Sequence, residues 1–314
     1  MAFCSCDSLI GNTASAGCKT IMGVTTGGFF VPEFDEEGNE NGILLSELES
    51  NGGLGLDFVN GKRNHISTRQ RWYALPGKFA NVDATRIDTV TESLNDGSVI
   101  RVQNGIKQFS GQLINENPAL IGQILRASCL PIGFYQIDAS SNLRGVLSPD
   151  GTKLLPIPLD KDSVDVFEIE ASDTSTQRIQ VSWNYSNLVN ESQLRQISGE
   201  KTRENGVDLN KIEGLFDGNM TLKNSPAATA TSFSVDIGTI FGEFGQMIMV
   251  EDRILSDFAL TVDATNAAIT MTSVTEVSEG SYNFVIPTTS GAVTLSQSSI
   301  QDGFDLKPLK ITLP

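Results

Sequence analysis

The side chains with the greatest chemical reactivity in this sequence are few and scattered. His65 is the only histidine, so the Ser-His-Asp and Cys-His arrangements of nucleophilic catalysis have a single candidate base. Cys4, Cys6 and Cys18 suggest a zinc site if His65 completes the set, but structural zinc sites usually place two to four residues between paired cysteines. The alternative is that these three, like Cys129, are reduced thiols with no ligand. We predict neither a metal site nor a cofactor.

Motifs that bind phosphates or dinucleotides are also missing. The sequence contains neither the G-x-x-x-x-G-K-[ST] loop nor a G-x-G-x-x-G turn after a strand. Pairs of carboxylates occur, as in any acidic chain, so composition alone leaves a glycosidase open. Only two tryptophans are available to line a sugar cleft. The shortage of candidate groups predicts a protein that is not an enzyme.

Two neighbouring segments of opposite charge stand out. From Phe34 to Asp57 the chain has no basic residue. A calcium loop starting at Asp35 needs Gly at its sixth position and Glu at its twelfth, whereas Glu40 and Ser46 occupy them. We therefore predict a solvated acidic turn followed by a Gly-rich loop.

The basic segment GKRNHISTRQRWY follows directly. It concentrates basic side chains beside two aromatic ones: Lys62, Arg63, Arg69 and Arg71 beside Trp72 and Tyr73. Such clusters bind single-stranded nucleic acid by charge and stacking. The other interpretation, which we favour, is a basic patch that faces an acidic patch on an identical neighbour.

The overall charge limits the function classes. The chain has 22 Lys and Arg against 38 Asp and Glu, a net charge of −16, which opposes broad contact with nucleic-acid phosphates. A conduit through which DNA slides without sticking favours such a surface, and so does simple solubility. No apolar run is long enough to span a membrane, and the N-terminus lacks the features of a secretory signal. We predict synthesis in a cytoplasm.

Strand patterns dominate the chain and predict a mainly β protein: an antiparallel β-sandwich or barrel with one flanking helix, followed by a C-terminal immunoglobulin-like β-sandwich. The predicted divisions are an N-terminal arm at 1–32, an assembly domain at 33–205 and the immunoglobulin-like domain at 215–314. Asn117 and Pro118 begin the clearest helix, about 117–129. A further short helix is predicted at Ser192–Ile197.

A hairpin is predicted at Thr89–Phe109, with NDG as its turn. Its apolar side chains recur at even spacings among polar neighbours, which predicts a half-buried hairpin. They are Val90, Leu94, Ile100, Val102 and Ile106. Exposed hairpins and opposed charge patches are means of joining identical copies edge to edge.

The succession of an acidic start, RQRWYALPGKFANVDATRIDTVTES, LNDG, SVIRVQNGIKQFSGQL, a lone helix and the strands through WNYSNL resembles the tail tube proteins of tailed bacteriophages. The resemblance implies a virion structural protein without enzymatic activity. It implies hexameric rings, stacked around an acidic lumen through which DNA passes without specific binding. Its partners would be other copies of the chain and other tail proteins, with no membrane, and its location the virion. The segment before Lys62 is longer than a simple tube subunit needs.

The tube interpretation assigns roles to two sets of residues. The candidates for the lumen face are Asp35, Glu36, Glu37 and Glu40. The candidates for contacts between subunits are Glu92, Arg101, Lys62, Arg63, Arg69 and Arg71.

Two alternatives stay open. One is a head decoration, connector or fibre-associated virion protein. The other is a carbohydrate-binding or adhesive module, whose stacking surface would be Trp72, Tyr73, Trp183 and Tyr185. The two-residue spacing of Trp183 and Tyr185 places them on one strand face, where they are equally suited to a core.

Overall fold

The computed structural model describes residues 22–51, 53–75, 77–103, 105–114, 116–189, 191–223, 227–239, 248–300 and 303–314. The cysteines Cys4, Cys6 and Cys18, for which a zinc site was weighed, and most of the predicted N-terminal arm lie outside these ranges. The chain forms two compact units. The first ends at Glu213, and the second contains Gly214–Pro314 with the short stretch Asn64–Ile66.

The first unit is mainly β with antiparallel pairing. Its strands are β1 Thr25–Pro32, β2 Ile43–Leu44, β3 Tyr73–Ala74, β4 Phe79–Asp83, β5 Val90–Ser93, β6 Val99–Gln103, β7 Gln108–Ile114, β8 Ile132–Asp138, β9 Leu143–Leu147, β10 Lys153–Leu155, β11 Ile157–Pro158, β12 Asp165–Ile169, β13 Arg178–Asn184 and β14 Leu194–Ile197. Its helices are α1 Leu45–Asn51, α2 Leu56–Arg63, α3 Ala119–Ala127 and α4 Gly199–Glu204.

Three sheets organise these strands. The largest runs β2-β10-β9-β8-β1-β3, with β11 added beside β8 and β14 beside β9. The second has the order β12-β13-β7-β4, and β5 pairs with β6 as a separate two-stranded sheet. The central strand β8 is buried at all of its positions, because apolar clusters lie on both of its faces.

The two larger sheets contribute to one apolar cluster. Phe134 of the large sheet packs against Trp183 of the four-stranded sheet, with ring centroids 4.8 Å apart. Phe109 stacks on Trp183 at 4.5 Å. Ile124 of α3 joins the same cluster. On the opposite face of the large sheet, Trp72 packs against neighbouring rings in a second cluster.

The predicted helix at 117–129 is confirmed as α3, at Ala119–Ala127. Asn117 Oδ1 accepts a hydrogen bond from the backbone N–H of Ala119 at 2.9 Å, and Pro118 directly precedes the helix. The prediction of a single flanking helix is wrong, because α1, α2 and α4 are also present.

Two of the additional helices lie where the acidic, Gly-rich loop was predicted. The two helices and the loop between them place Leu48, Leu54 and Val59 in the apolar cluster that contains Trp72. Of the short helix predicted at Ser192–Ile197, only the beginning is helical, as the 3-10 helix Glu191–Gln193. Residues Leu194–Ile197 instead form β14, which pairs with β9.

The second unit is also mainly β. Its strands are β15 Phe216–Leu222, β16 Ser232–Thr239, β17 Ile248–Met249, β18 Phe258–Val262, β19 Ala268–Ile269, β20 Ser273–Ser278, β21 Ser281–Val285, β22 Gly291–Gln297, β23 Phe304–Leu306 and β24 Leu309–Leu313. One sheet runs β20-β21-β16-β15-β23, with β17 beside β16, and the other runs β19-β18-β22-β24. Pairing is antiparallel except between β15 and β23.

A single apolar cluster draws on both sheets of this unit. Phe233 and Phe284 stack at 5.1 Å, and Phe258 meets Phe284 edge-on at 5.1 Å. Val293 and Leu295 of β22 are fully buried in the same cluster.

Candidate assembly surface

The most distinctive surface feature is the hairpin of β5 and β6, which we call the arm (residues 85–107). Within the described part of the chain, these two strands pair only with each other. The predicted NDG turn is confirmed: the Gly97 N–H donates to the Leu94 carbonyl at 2.9 Å. Asp96 Oδ1 accepts from the Ser98 N–H at 2.9 Å, and Gly97 has φ +81°. Local turn chemistry therefore defines the tip.

The base of the arm continues the β4–β7 pair of the four-stranded sheet. The backbones of Arg86 and Lys107 form an isolated antiparallel β-bridge, and the Ile87 N–H donates to the Ile106 carbonyl at 2.8 Å. A Cβ placed on Gly105 would lie 2.0 Å from the Ile87 carbonyl oxygen, so the two strands approach too closely here for a larger residue. About ten residues separate this base from the tip, which is roughly 30 Å of extended chain.

The arm is exposed on both faces, so the predicted half-burial is wrong. The large apolar side chains are 41 to 62 % exposed: Val90, Leu94, Val99, Ile100 and Val102. Only Ile106, at the base, is partly buried. The alternating pattern is present, but no other described element of this chain covers it. An isolated two-stranded hairpin is marginally stable in water, so a covering surface would stabilise this arm.

The strand register places Val90, Leu94 and Ile100 with Glu92 on one face of the arm, which we call the apolar face: Ile100 lies directly opposite Glu92, and Val90 and Leu94 are each two residues from Glu92. The register shifts between Val90 and Thr91, so Val102 has no directly opposite residue, and Val99 lies opposite Ser93 on the other face. Arg101 lies opposite Thr91 on the other face. The predicted contact residues Glu92 and Arg101 therefore point to opposite sides of the arm, with Glu92 among the apolar side chains.

The acidic lumen candidates form a tight turn between β1 and β2. Asp35 has its pKa raised by partial desolvation but lowered more by hydrogen bonds from Asn39 and Glu37, so that the net pKa lies below its ordinary value. It organises the turn. Glu36 accepts a hydrogen bond from Ser67 at 2.9 Å. Glu36, Glu37 and Glu40 are exposed.

The basic candidates divide by exposure. Arg71 is only 4 % exposed, and its guanidinium lies 5.9 Å from the Tyr73 ring. It therefore offers little surface to another copy. Lys62 lies 5.8 Å from the Phe58 ring, and Arg63 Nη1 donates to the Glu213 carbonyl at 3.5 Å. Arg69 is exposed.

Three of the four aromatic side chains proposed as a sugar-stacking surface belong to the interior. Trp72, Trp183 and Tyr185 are at most 2 % exposed. Burial raises the pKa of the Tyr185 hydroxyl, which accepts a hydrogen bond from Gln136 at 2.7 Å. Tyr73 alone is exposed, at 38 %. The carbohydrate-binding alternative therefore loses the surface on which it depended.

The reactive side chains do not gather into a site in the described residues. No group of three or more His, Cys, Asp or Glu there has an arrangement that could hold a metal ion. His65 is partly buried, and Cys129 is a free, exposed thiol. Among the described helices, none is both long and apolar enough to cross a membrane.

A polar sheet face beside the arm was not predicted. Gln108 donates to Asn184 across β7 and β13 at 2.9 Å, and Gln112 donates to Gln180 at 3.1 Å. A cavity of about 400 Å³ lies at the end nearest the arm, and polar residues make up most of its lining. They are Asp83, Thr85, Gln108, Ser110, Ser163, Ser182 and Asn184. In the sequence, the alternating polar residues of QFSGQLI and RIQVSWN are the feature that indicates this polar face.

Comparisons with known proteins were made for families and for curated sequences. Neither a protein family nor a curated protein matched the chain.

Proposed function

We propose that this chain is a non-enzymatic virion structural protein, a tail tube subunit of a tailed bacteriophage that forms stacked hexameric rings. The observation that carries the proposal is the arm, whose apolar face is covered by no other element among the residues that the structure describes. Strands that lack partners within a subunit readily pair with or pack on another subunit. A heterologous contact of this kind closes into a ring when its rotation allows.

The architecture supports the proposal. In the first unit, the eight-stranded and four-stranded sheets share one apolar cluster that includes Ile124 of α3. We infer a β-sandwich or barrel flanked by this helix, as in tail tube proteins. In the second unit, two sheets share another cluster, from which we infer an immunoglobulin-like sandwich.

The charge of the chain supports a conduit for DNA. With a net charge of −16, a ring of subunits would repel a passing phosphate backbone. Glu36, Glu37 and Glu40 are exposed on one turn and are our candidates for the lumen face. Asp35 supports this turn through its hydrogen bonds with Asn39.

The test is the assembly state of the purified chain across a concentration series. Light scattering gives the mass of the particles, and negative-stain electron microscopy gives their shape. Six-fold rings or hollow tubes are the expected result. A persistent monomer or trimer would overturn the tube proposal and favour a head decoration, connector or fibre-associated protein.

A further inference from the structure

Any partner that covers the apolar face of the arm also removes the Glu92 carboxylate from water. Glu92 lies opposite Ile100 and on the same face as Val90 and Leu94. Within the described residues, the side-chain carboxylate of Glu92 forms no hydrogen bond or ion pair. A carboxylate that is taken out of water costs several kcal/mol unless a cation or hydrogen-bond donor meets it. The surface that covers the arm must therefore supply a positive group.

A cluster of three cations lies around the base of the arm; we call it the basal cluster (Arg86, Lys107 and Arg144). Lys107 Nζ lies 5.9 Å from the centroid of the Tyr185 ring. The backbone of Arg86 pairs with that of Lys107 in a β-bridge between the two strands. Arg144 neighbours Gln136 on β8, whose amide donates to the Tyr185 hydroxyl. Lys107 and Arg144 thus both lie near buried Tyr185, and Arg86 and Arg144 both act electrostatically on Lys107.

The basal cluster carries more positive than negative charge. Glu191 forms an ion pair with Arg86 at 3.6 Å. Asp138 acts electrostatically on Arg144, but its carboxylate is occupied by hydrogen bonds from Gly23, Ser140 and Asn142. No ion pair of Lys107 or Arg144 occurs within the described residues.

Polar atoms beside Arg144 also lack partners. Gln136, Arg144 and Gln196 are adjacent in the register of β8, β9 and β14. Within the described chain, Gln136 Oε1, Arg144 Nε and Gln196 Oε1 are buried without a hydrogen bond. The two glutamine oxygens are acceptors, so Arg144 Nε is the one of the three that a carboxylate can satisfy. Gln136 is only 3 % exposed. Desolvation lowers the pKa of both Lys107 and Arg144, so an added anion would stabilise their charged forms.

We propose that the basal cluster of one copy binds the Glu92 carboxylate on the arm of a second copy. This inference rests on the proposed assembly. It adds the orientation of neighbouring copies, in which the arm of one copy packs beside the base of the arm of the next copy. Within one chain, Glu92 is six residues from Arg86, about 20 Å along an extended strand, so it does not reach its own cluster. A second copy is favoured over nucleic acid because the net charge of −16 opposes a polyanion.

The first test is zero-length coupling of amines to carboxylates by a carbodiimide, applied to a mixture of isotope-labelled and unlabelled protein. Mass spectrometry is expected to find Lys107 joined to Glu92 in peptides that combine the two labels. Assembled particles in which Lys107 couples only to other carboxylates, such as Glu191 of its own chain, would overturn the inference.

The second test exchanges the charges. Glu92→Lys and Lys107→Glu are each expected to weaken self-association about tenfold, and the double variant to recover most of that loss. Glu168→Gln, at an exposed position on β12, is the control and should associate as the unsubstituted chain does. Thermal unfolding of each variant establishes that it is folded.

The outcomes separate this inference from the proposed function. If the unsubstituted chain stays monomeric at all concentrations, both fail. If it assembles and the charge exchange brings no recovery, the Glu92 contact is wrong and the assembly proposal stands.

Discussion

The substitution Ile100→Asp is expected to weaken assembly by more than about 100-fold without unfolding the protein. Ile100 is 45 % exposed and lies at the centre of the apolar face, opposite Glu92. The fold of either unit does not depend on its burial, because no described element covers it. An aspartate here would remain solvated in the free chain and would lose water only when a second copy covers the arm.

The size of the effect follows from the exposed areas. Val90, Leu94 and Ile100 are each about half exposed, and burying the remaining half of one such side chain contributes about 1 kcal/mol. The face as a whole then contributes about 3 kcal/mol per arm. Losing Ile100 and desolvating a second carboxylate beside Glu92 costs about 3 kcal/mol, or more than about 100-fold in the dissociation constant.

Sedimentation velocity across a concentration series measures this change. Thr91→Asp is the matched control, since Thr91 is also exposed in β5 but lies opposite Arg101 on the polar face. The control is expected to shift association by less than about tenfold. If Ile100→Asp associates as tightly as the unsubstituted chain, or if both substitutions weaken association equally, the apolar face is not the contact surface.

Three further predictions concern stability and charge. Although desolvation raises the pKa of Asp138, hydrogen bonds from Gly23 and Asn142 hold that pKa below its ordinary value of 3.8. The ionised Asp138 should therefore stabilise the fold fully at neutral pH, and this contribution should be lost as the pH falls through the lowered pKa. Acid titration of the free energy of unfolding measures this loss, and Asp138→Ala should remove it. Trp183→Ala should lower the free energy of unfolding by about 3–5 kcal/mol in denaturant titrations, and a loss under about 1 kcal/mol would contradict its place in the core. Replacing Glu36, Glu37 and Glu40 by Gln should leave assembly intact and slow DNA ejection from particles; unchanged ejection would contradict their place on the lumen.

Local chemistry made some elements predictable. The NDG turn carries the residues that a hairpin tip requires, and Pro118 marks the beginning of α3. Alternating residues predicted the strands of the arm but not its exposure. A period of two shows that one face is apolar, and it does not show whether the covering surface belongs to the same chain.

The features that the sequence did not predict depend on tertiary packing. The segment of α1 and α2 reads as an acidic, Gly-rich loop, yet Leu54 and Val59 fold inward onto Trp72. The run of charges around Arg71 suggested a surface patch, whereas this arginine is buried with its aromatic neighbour Trp72. The basal cluster was not predicted because Arg86, Lys107 and Arg144 come together only through the pairing of distant strands.

A three-dimensional reconstruction of the assembled protein by cryo-electron microscopy tests the central claim most directly. We expect rings in which the arm of each copy lies against the next copy, with Ile100 covered. Rings in which every arm projects into solvent, or particles held together by other surfaces alone, would contradict it.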